Sequence, residues 1–251
     1  MGKRGYIFLP GGFNKVIEEL SKSYRIYAPV LKVGEGRFTD TDVVRYDFVK
    51  EASEIELDKK SDYSFKEILT PLSQTLFFFT ENDVKESEID EREVLVFLRS
   101  CDLNALKRLD QIYLHNGREE DYFYARIRDK VKFVLIGCAH SYEDCFCVDM
   151  STNRADDLDY SFSVDYIDNQ FHCQLKDSVL EEIFTNNALK EQDITPRFVT
   201  ENETRVKLPD SVPLSIFTSD MWEEYNTRCI GCGRCNYVCP TCTCYTMQDV
   251  Y

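Results

Sequence analysis

Residues 94–138 read VLVFLRSCDLNALKRLDQIYLHNGREEDYFYARIRDKVKFVLIGC, and the fold turns on how this stretch is read. Residues 94–98 are a short unbroken apolar run, the pattern of a strand covered on both faces. Asp102 is placed to N-cap a helix whose apolar stripe is Leu103, Leu106, Leu109 and Tyr113, with Gly117 just past its end. After a second amphipathic stretch, residues 131–136 repeat the buried-strand pattern, and Gly137 and Cys138 close it. Two strands joined by a helix pair in parallel through a right-handed crossover, so their C-terminal ends share one sheet edge. Cys101 and Cys138 are therefore expected together at the edge where open α/β sheets bind cofactors. The expected fold class is α/β (α+β) with a partly parallel sheet.

Outward from that core, the segment CAHSYEDCFC adds Cys145 and Cys147 within ten residues of Cys138. Cys101, Cys138, Cys145 and Cys147 are thus candidate ligands of one metal site that lacks any ferredoxin spacing; His140 and Asp144 could add donors, but a solvated loop role is the commoner one for each. The competing explanation is that these thiols are small buried hydrophobes. Residues 160–175 form two alternating stretches around Asp168-Asn169, a β-hairpin signal, and Cys173 in the second stretch reads as structural. A short helix is expected over 179–184. Residues 195–213, charged and without a period, read as a linker. Asp220 and Glu223 make a capping-box-like start to a short helix carrying Met221, Trp222 and Tyr225, and Trp222 is expected to pack against the cysteine loop that follows. Upstream, Phe13, Val16, Ile17, Leu20 and Tyr24 recur at helical spacing, residues 25–31 read as extended, and Gly34 and Gly36 fall in a loop. The apolar run LTPLSQTLFFF at 69–79 fits an interface or packing under the sheet, packing being the commoner case, as helix or strand.

The C-terminal run CIGCGRCNYVCPTCTCY starts at Cys229. Cys229, Cys232, Cys235 and Cys239 follow C-x2-C-x2-C-x3-C with Pro240 next, the spacing of a bacterial ferredoxin [4Fe–4S] run. Thiolates two residues apart wrap one cluster in a tight loop, and Gly231 and Gly233 let the backbone turn its N–H groups toward the sulfurs. Zinc is the alternative occupant, but it usually takes two separated C-x2-C pairs. The expected domains are 1–205, α/β, and 206–251, a ferredoxin-like module.

Composition excludes other classes. The chain has 251 residues, 43% hydrophobic and 30% charged, with a net charge of −15. Nucleic acid and anionic membrane both select basic patches, so neither is an expected partner. Eleven cysteines, an odd number with six crowded between Cys229 and Cys244, argue against a disulfide framework. The N-terminus lacks a signal-peptide apolar core and no stretch approaches a membrane span, so a cytoplasmic setting with reduced cysteines is expected. No acid–base or nucleophilic constellation stands out among three histidines.

The segments RFTDTDVVRYD, FLRSCDLNALKRLDQIYL, CFCVDM and CIGCGRCNYVCPTCTCYTMQDVY resemble the iron–sulfur electron-transfer subunit of NADH-linked anaerobic sulfite reductase. The resemblance implies a relay between a flavin-containing, NADH-oxidising partner and a sirohaem partner that reduces sulfite to sulfide. The beta subunit of cytoplasmic sulfhydrogenase-type hydrogenases has the same layout and is the nearest alternative; a zinc-binding, non-redox scaffold is the second. Cys229, Cys232, Cys235 and Cys239 match the family's first ferredoxin motif. The family carries a second such motif farther along, which implies that residues 206–251 are an incomplete two-cluster module and that Cys239 serves the other cluster.

Overall fold

The structure is a computed structural model that describes residues 4–243 apart from 39, 89 and 157. Its centre is the parallel pair expected from residues 94–138. Strand β6 (Glu93–Arg99) pairs in parallel with β7 (Val131–Ile136), from Val94↔Val131 to Arg99↔Ile136. They are joined by helices α2 (Ser100–Leu114) and α3 (Tyr122–Arg128). β2 (Tyr24–Lys32) and β8 (Phe162–Ile167) extend the parallel centre on either side. Antiparallel strands finish the sheet: β3 (Val43–Val49) beyond β2, and β9 (Gln170–Gln174), β1 (Gly5–Phe8) and the two-residue β10 (Lys190–Glu191) beyond β8. The result is an eight-stranded mixed sheet. A separate two-stranded sheet joins β4 (Phe77–Phe79) to β5 (Val84–Glu86).

Strand alternation sends the β6 side chains to two cores. Leu95 and Phe97 pack with Phe13, Val16, Ile17 and Leu20 of α1 (Pro10–Leu20) and Phe184 of α4 (Glu181–Asn187). Val94, Val96 and Leu98 pack on the other face with Leu103, Leu106 and Leu109 of α2. Helices therefore cover both faces, which is why residues 94–98 are apolar without a break.

The β8–β9 hairpin turns at Asp168 (φ 49°) and Asn169 (φ 62°), two left-handed residues in succession as a type I′ turn requires. Three expectations need correction. α1 ends at Leu20, and Tyr24 opens β2 rather than continuing the stripe. Asp102 is not an N-cap: α2 springs directly from β6 with Arg99 at its cap, which puts Cys101 and Asp102 inside the first turn. Of the run at 69–79 only Leu69 is buried in the core; the rest does not pack under the sheet and ends in β4, with Phe77, Phe78 and Phe79 all exposed.

Residues 195–206 are a strap rather than a linker. The Arg197 carbonyl accepts from the Cys138 amide at 2.9 Å, and the Arg197 guanidinium pairs with buried Asp165 at 2.8 Å. Val199 accepts from Asn153, and the Arg205 guanidinium and Val206 amide both bond Asp149. Beyond the strap, α5 (Met221–Arg228) and α6 (Arg234–Val238) carry the C-terminal cysteines. Among the described residues no helix is long and apolar enough to cross a membrane.

Candidate metal centres

The upstream cysteines gather where β6 and β7 end. Cys101 sits in the first turn of α2, and Cys138 follows β7 by two residues. Gly137, just before Cys138, is required by close approach: a Cβ there would stand 1.9 Å from Asp165 Oδ1. Cys145 and Cys147 follow in a chain of turns. Its bonds run from the Cys145 amide to the Tyr142 carbonyl at 3.0 Å and from the Thr152 amide to the Cys147 carbonyl at 2.8 Å. The strap fixes this loop from above. Buried Asn202 accepts from the Val148 amide at 2.8 Å, donates to Ser141 Oγ at 2.8 Å and lies 3.8 Å from Cys147 Sγ.

Arg99 is the organising cation. Its side chain is buried and donates to five acceptors: Gly137 O at 3.2 Å, Cys138 Sγ at 3.5 Å, Leu57 O at 2.8 Å, Lys59 O at 3.2 Å and Tyr142 Oη at 2.9 Å. One guanidinium thereby ties together the β6 end, the Leu57–Lys59 turn and the cysteine loop. Burial works against its charge, and its contacts with Cys138 and Tyr142 act the other way, so the net direction of its pKa is upward.

Burial pushes the Cys101 thiol well above its ordinary value, with Asp102, Cys138 and Cys147 adding and Arg99 opposing. Cys138 is raised by burial against the pull of Arg99, and Cys147 by burial against its contact with Asn202. Cys145 is felt at both Cys138 and Cys147. The four thiols therefore share one electrostatic neighbourhood. Burial also raises the Asp102 carboxyl to about 6. The helix N-terminus would favour a thiolate at Cys101, but desolvation wins.

The other expected donors are engaged elsewhere. Asp144 pairs with Lys60 at 2.5 Å, and His140 is exposed with its ring in an edge-type contact with Tyr142, centroids 4.9 Å apart. Cys173 lies fully buried in β9 among apolar side chains.

The C-terminal run is built differently. Cys229 caps the end of α5, Cys235 lies in α6 and Cys239 caps its end. Gly231 and Gly233 both have φ of 69°, the left-handed conformation that turns the loop between the cysteines. Cys229, Cys232 and Cys235 are exposed, while Cys239 and Cys242 are half-buried. The Asn236 side-chain oxygen accepts from Cys242 Sγ at 3.2 Å and lies 3.7 Å from Cys235 Sγ, so Cys242 approaches the run despite the intervening Pro240. Cys244 lies outside the described residues. The loop docks on the body through buried Lys66, whose ammonium bonds the carbonyls of Asn236 and of Cys242, the latter at 2.7 Å. Trp222 does not pack on this loop; it is exposed, bonds the Ile216 carbonyl and lies against Tyr225. Asp220 precedes α5 without capping it through its side chain.

Among the described residues, no three Cys, His, Asp or Glu side chains already meet at a point that would hold a metal ion. Each cysteine group still offers a donor set of thiols alone, the set that iron–sulfur clusters take. The strap residues Asn202 and Arg197 and the clamp Lys66 carried no sequence pattern. Arg99 had one usable signal, a charged residue closing an otherwise apolar strand.

The chain is 30% identical to sulfhydrogenase 2 subunit beta of Pyrococcus furiosus over an alignment of 268 positions, which takes in 97% of this chain and 72% of that protein. No family model matches the chain.

Proposed function

The chain belongs to the family of sulfhydrogenase beta subunits, and on that premise we propose that it is an iron–sulfur electron-transfer subunit of a sulfhydrogenase-type oxidoreductase complex. The observation that carries the reading is the C-terminal loop, in which the ferredoxin spacing coincides with two left-handed glycines. Cys229, Cys232, Cys235 and Cys239 are its ligand candidates, with Cys242 within reach of the same loop. A [4Fe–4S] cluster held there supplies one-electron transfer. Gly231 and Gly233 give the loop its left-handed turns, and Lys66 fixes the loop against the α/β body while Cys229, Cys232 and Cys235 stay exposed to a partner.

Cys101, Cys138, Cys145 and Cys147 make the second proposed site. Its support is their shared neighbourhood beneath the strap and the Arg99 contact to Cys138. There Arg99 offsets thiolate charge, and Asn202 and the strap limit water. In this reading the chain divides into an α/β part, 1–205, and a ferredoxin-like part, 206–251.

The similarity favours the hydrogenase-type complex over the sulfite reductase that the four sequence segments first suggested. The narrower reading, the electron-transfer subunit of an NADH-linked anaerobic sulfite reductase with flavin and sirohaem partners, rests on those segments. Both readings expect a brown protein after anaerobic reconstitution, with a reducible absorption band and an EPR signal on reduction. A colourless, zinc-loaded chain would overturn both. The isolated chain should neither oxidise NADH nor reduce sulfite. Mixing it with hydrogenase-type and with sulfite-reductase-type partner subunits, and following which set restores electron flow, separates the two.

A further inference from the structure

The β4–β5 hairpin stands apart from the main sheet, with Phe77 opposite Glu86, Phe78 opposite Lys85 and Phe79 opposite Val84. Phe77, Phe78 and Phe79 are 50%, 61% and 59% exposed. Strand alternation places Phe77 and Phe79 on one face, their ring centroids 5.9 Å apart, and Phe78 on the other. One face is therefore aromatic and apolar through Phe77, Phe79 and Val84, the other sets Phe78 beside Lys85, and both are open.

Such a hairpin is at best marginally stable in water by itself, and polar groups tie it to the body. Glu86 bonds Tyr122 at 3.1 Å and faces Arg126 at 3.7 Å, and Ser87 O accepts from Arg126 at 3.4 Å. Three neighbouring exposed aromatics also make an exposed strand pair an aggregation hazard, which a covering partner would remove.

The charge around the hairpin narrows the choice of partner. Residues 81–93 carry seven acidic side chains, of which Glu86 pairs with Arg126, Glu88 with Lys85, Asp90 with Arg92 and Arg25, Glu91 with Lys130 and Glu93 with Lys132. That leaves Glu81 and Asp83, exposed at the hairpin turn beside the rings, as the acids outside these pairs, within a chain of net charge −15. Two copies meeting through this element would set like charges face to face. A partner with an apolar cleft rimmed by Lys and Arg would bury the rings and neutralise the acids together.

We propose that the Phe77–Glu86 hairpin is the plug by which this chain docks into a basic-rimmed apolar cleft on another subunit of its complex. The identity of that partner rests on the family reading above.

The test is co-purification of the tagged full chain with hydrogenase-type partner subunits, with affinity measured at low and at high salt. Phe77→Ser with Phe79→Ser should weaken binding by about thirtyfold or more, as loss of a buried aromatic anchor does. Visible absorption and the unfolding midpoint of the isolated chain should stay unchanged. Glu81→Lys with Asp83→Lys should weaken binding at low salt, and the difference should shrink at high salt. Wild-type affinity in all variants overturns the hairpin assignment while leaving the complex in place. Failure of the wild-type chain to bind any of these subunits overturns the complex assignment and the plug with it. A wild-type dimer that the Phe variants abolish would give the surface to a second copy and overturn the plug.

Discussion

Cys229, Cys232 and Cys235 lie on a solvent-facing loop turned by two glycines, whereas Cys101, Cys138, Cys145 and Cys147 are half-buried at a sheet edge bonded to the strap and beside a buried arginine. The first group depends on local backbone, because spacing and glycine φ place the sulfurs with little help from elsewhere. The second depends on topology, because its members come from a strand–helix junction, a strand end and a loop that meet only in the folded chain. Solvent exposure, net charge and hydrogen bonds to sulfur set cluster potentials. Two clusters in such different surroundings would therefore differ in potential and in access to a partner, as a relay requires.

The largest effect that would break this comparison is loss of one group's iron without the other's. Substituting Cys229, Cys232, Cys235 and Cys239 by Ser should abolish the signal of the exposed cluster and leave that of the sheet edge. Serine at Cys101, Cys138, Cys145 and Cys147 should do the reverse. Iron and acid-labile sulfide per chain, with EPR on each set, measures both. If the first variant is iron-free, the sheet edge holds no cluster and its thiols revert to packing.

Next in size is thiol reactivity in the metal-free chain. Cys101, Cys138 and Cys147 have pKa values raised by burial, so below pH 9 they hold less thiolate than an unperturbed thiol. Alkylation needs the thiolate and access to it. Cys101 should label more than about tenfold slower than the exposed cysteines at pH 8, and its rate should keep rising as pH passes 9. Mass spectrometry of labelled peptides over a pH series reads this directly. Equal rates for the two groups at pH 8 would show that the sheet edge is open and that the strap does not cover it.

What was legible in the sequence divides along the same line. Residues 94–98 and 131–136 announced buried parallel strands because apolar continuity is a local signal of two-sided cover. Asp168-Asn169 announced its turn because few residues accept two left-handed conformations in succession. Residues 195–206 announced nothing, since Arg197 and Asn202 act through single contacts to distant residues and a strap has no period. Asp102 misled because helix α2 starts three residues earlier than its best capping residue would place it, carried there by the register of Arg99 against Ile136. Residues 77–79 misled because an apolar run normally signals burial, and here no other element of the described chain covers it.

A smaller change sharpens the role of the buried cation. Arg99→Met removes five hydrogen bonds and leaves the carbonyls of Gly137, Leu57 and Lys59 short of a donor. Each hydrogen bond to a charged group is worth about 1.5–3 kcal/mol, so losing all of these, offset in part by removing a buried charge, should cost upwards of about 3 kcal/mol, read by urea unfolding of the metal-free chain. In the loaded chain the sheet-edge cluster should also shift to a lower potential, because a positive charge and a donor to Cys138 are gone. Arg99→Lys should keep much of the potential while losing much of the stability, since an ammonium cannot reach so many acceptors in a fixed fork. An unchanged potential in Arg99→Met would separate Arg99 from the cysteine site and leave it a loop clamp.

The smallest effect is the control that gives the comparison its meaning. Burial raises Cys173 well above its ordinary pKa, as it does Cys101, so burial alone does not identify a ligand. Their company differs: Cys101 feels Cys138 and Cys147, whereas Cys173 feels Asp165 and packs among the apolar side chains of the α1 face. Cys173→Ala removes one sulfur from a full core and should cost on the order of 1 kcal/mol, as deleting a small buried group does. Cys173→Ser should cost more, because its hydroxyl would be buried where only a sulfur had to fit. Iron per chain should be untouched in both. A loss of iron in Cys173→Ala, at a stability close to wild type, would bring Cys173 into the ligand set and redraw the boundary between the packing thiols and those at the sheet edge.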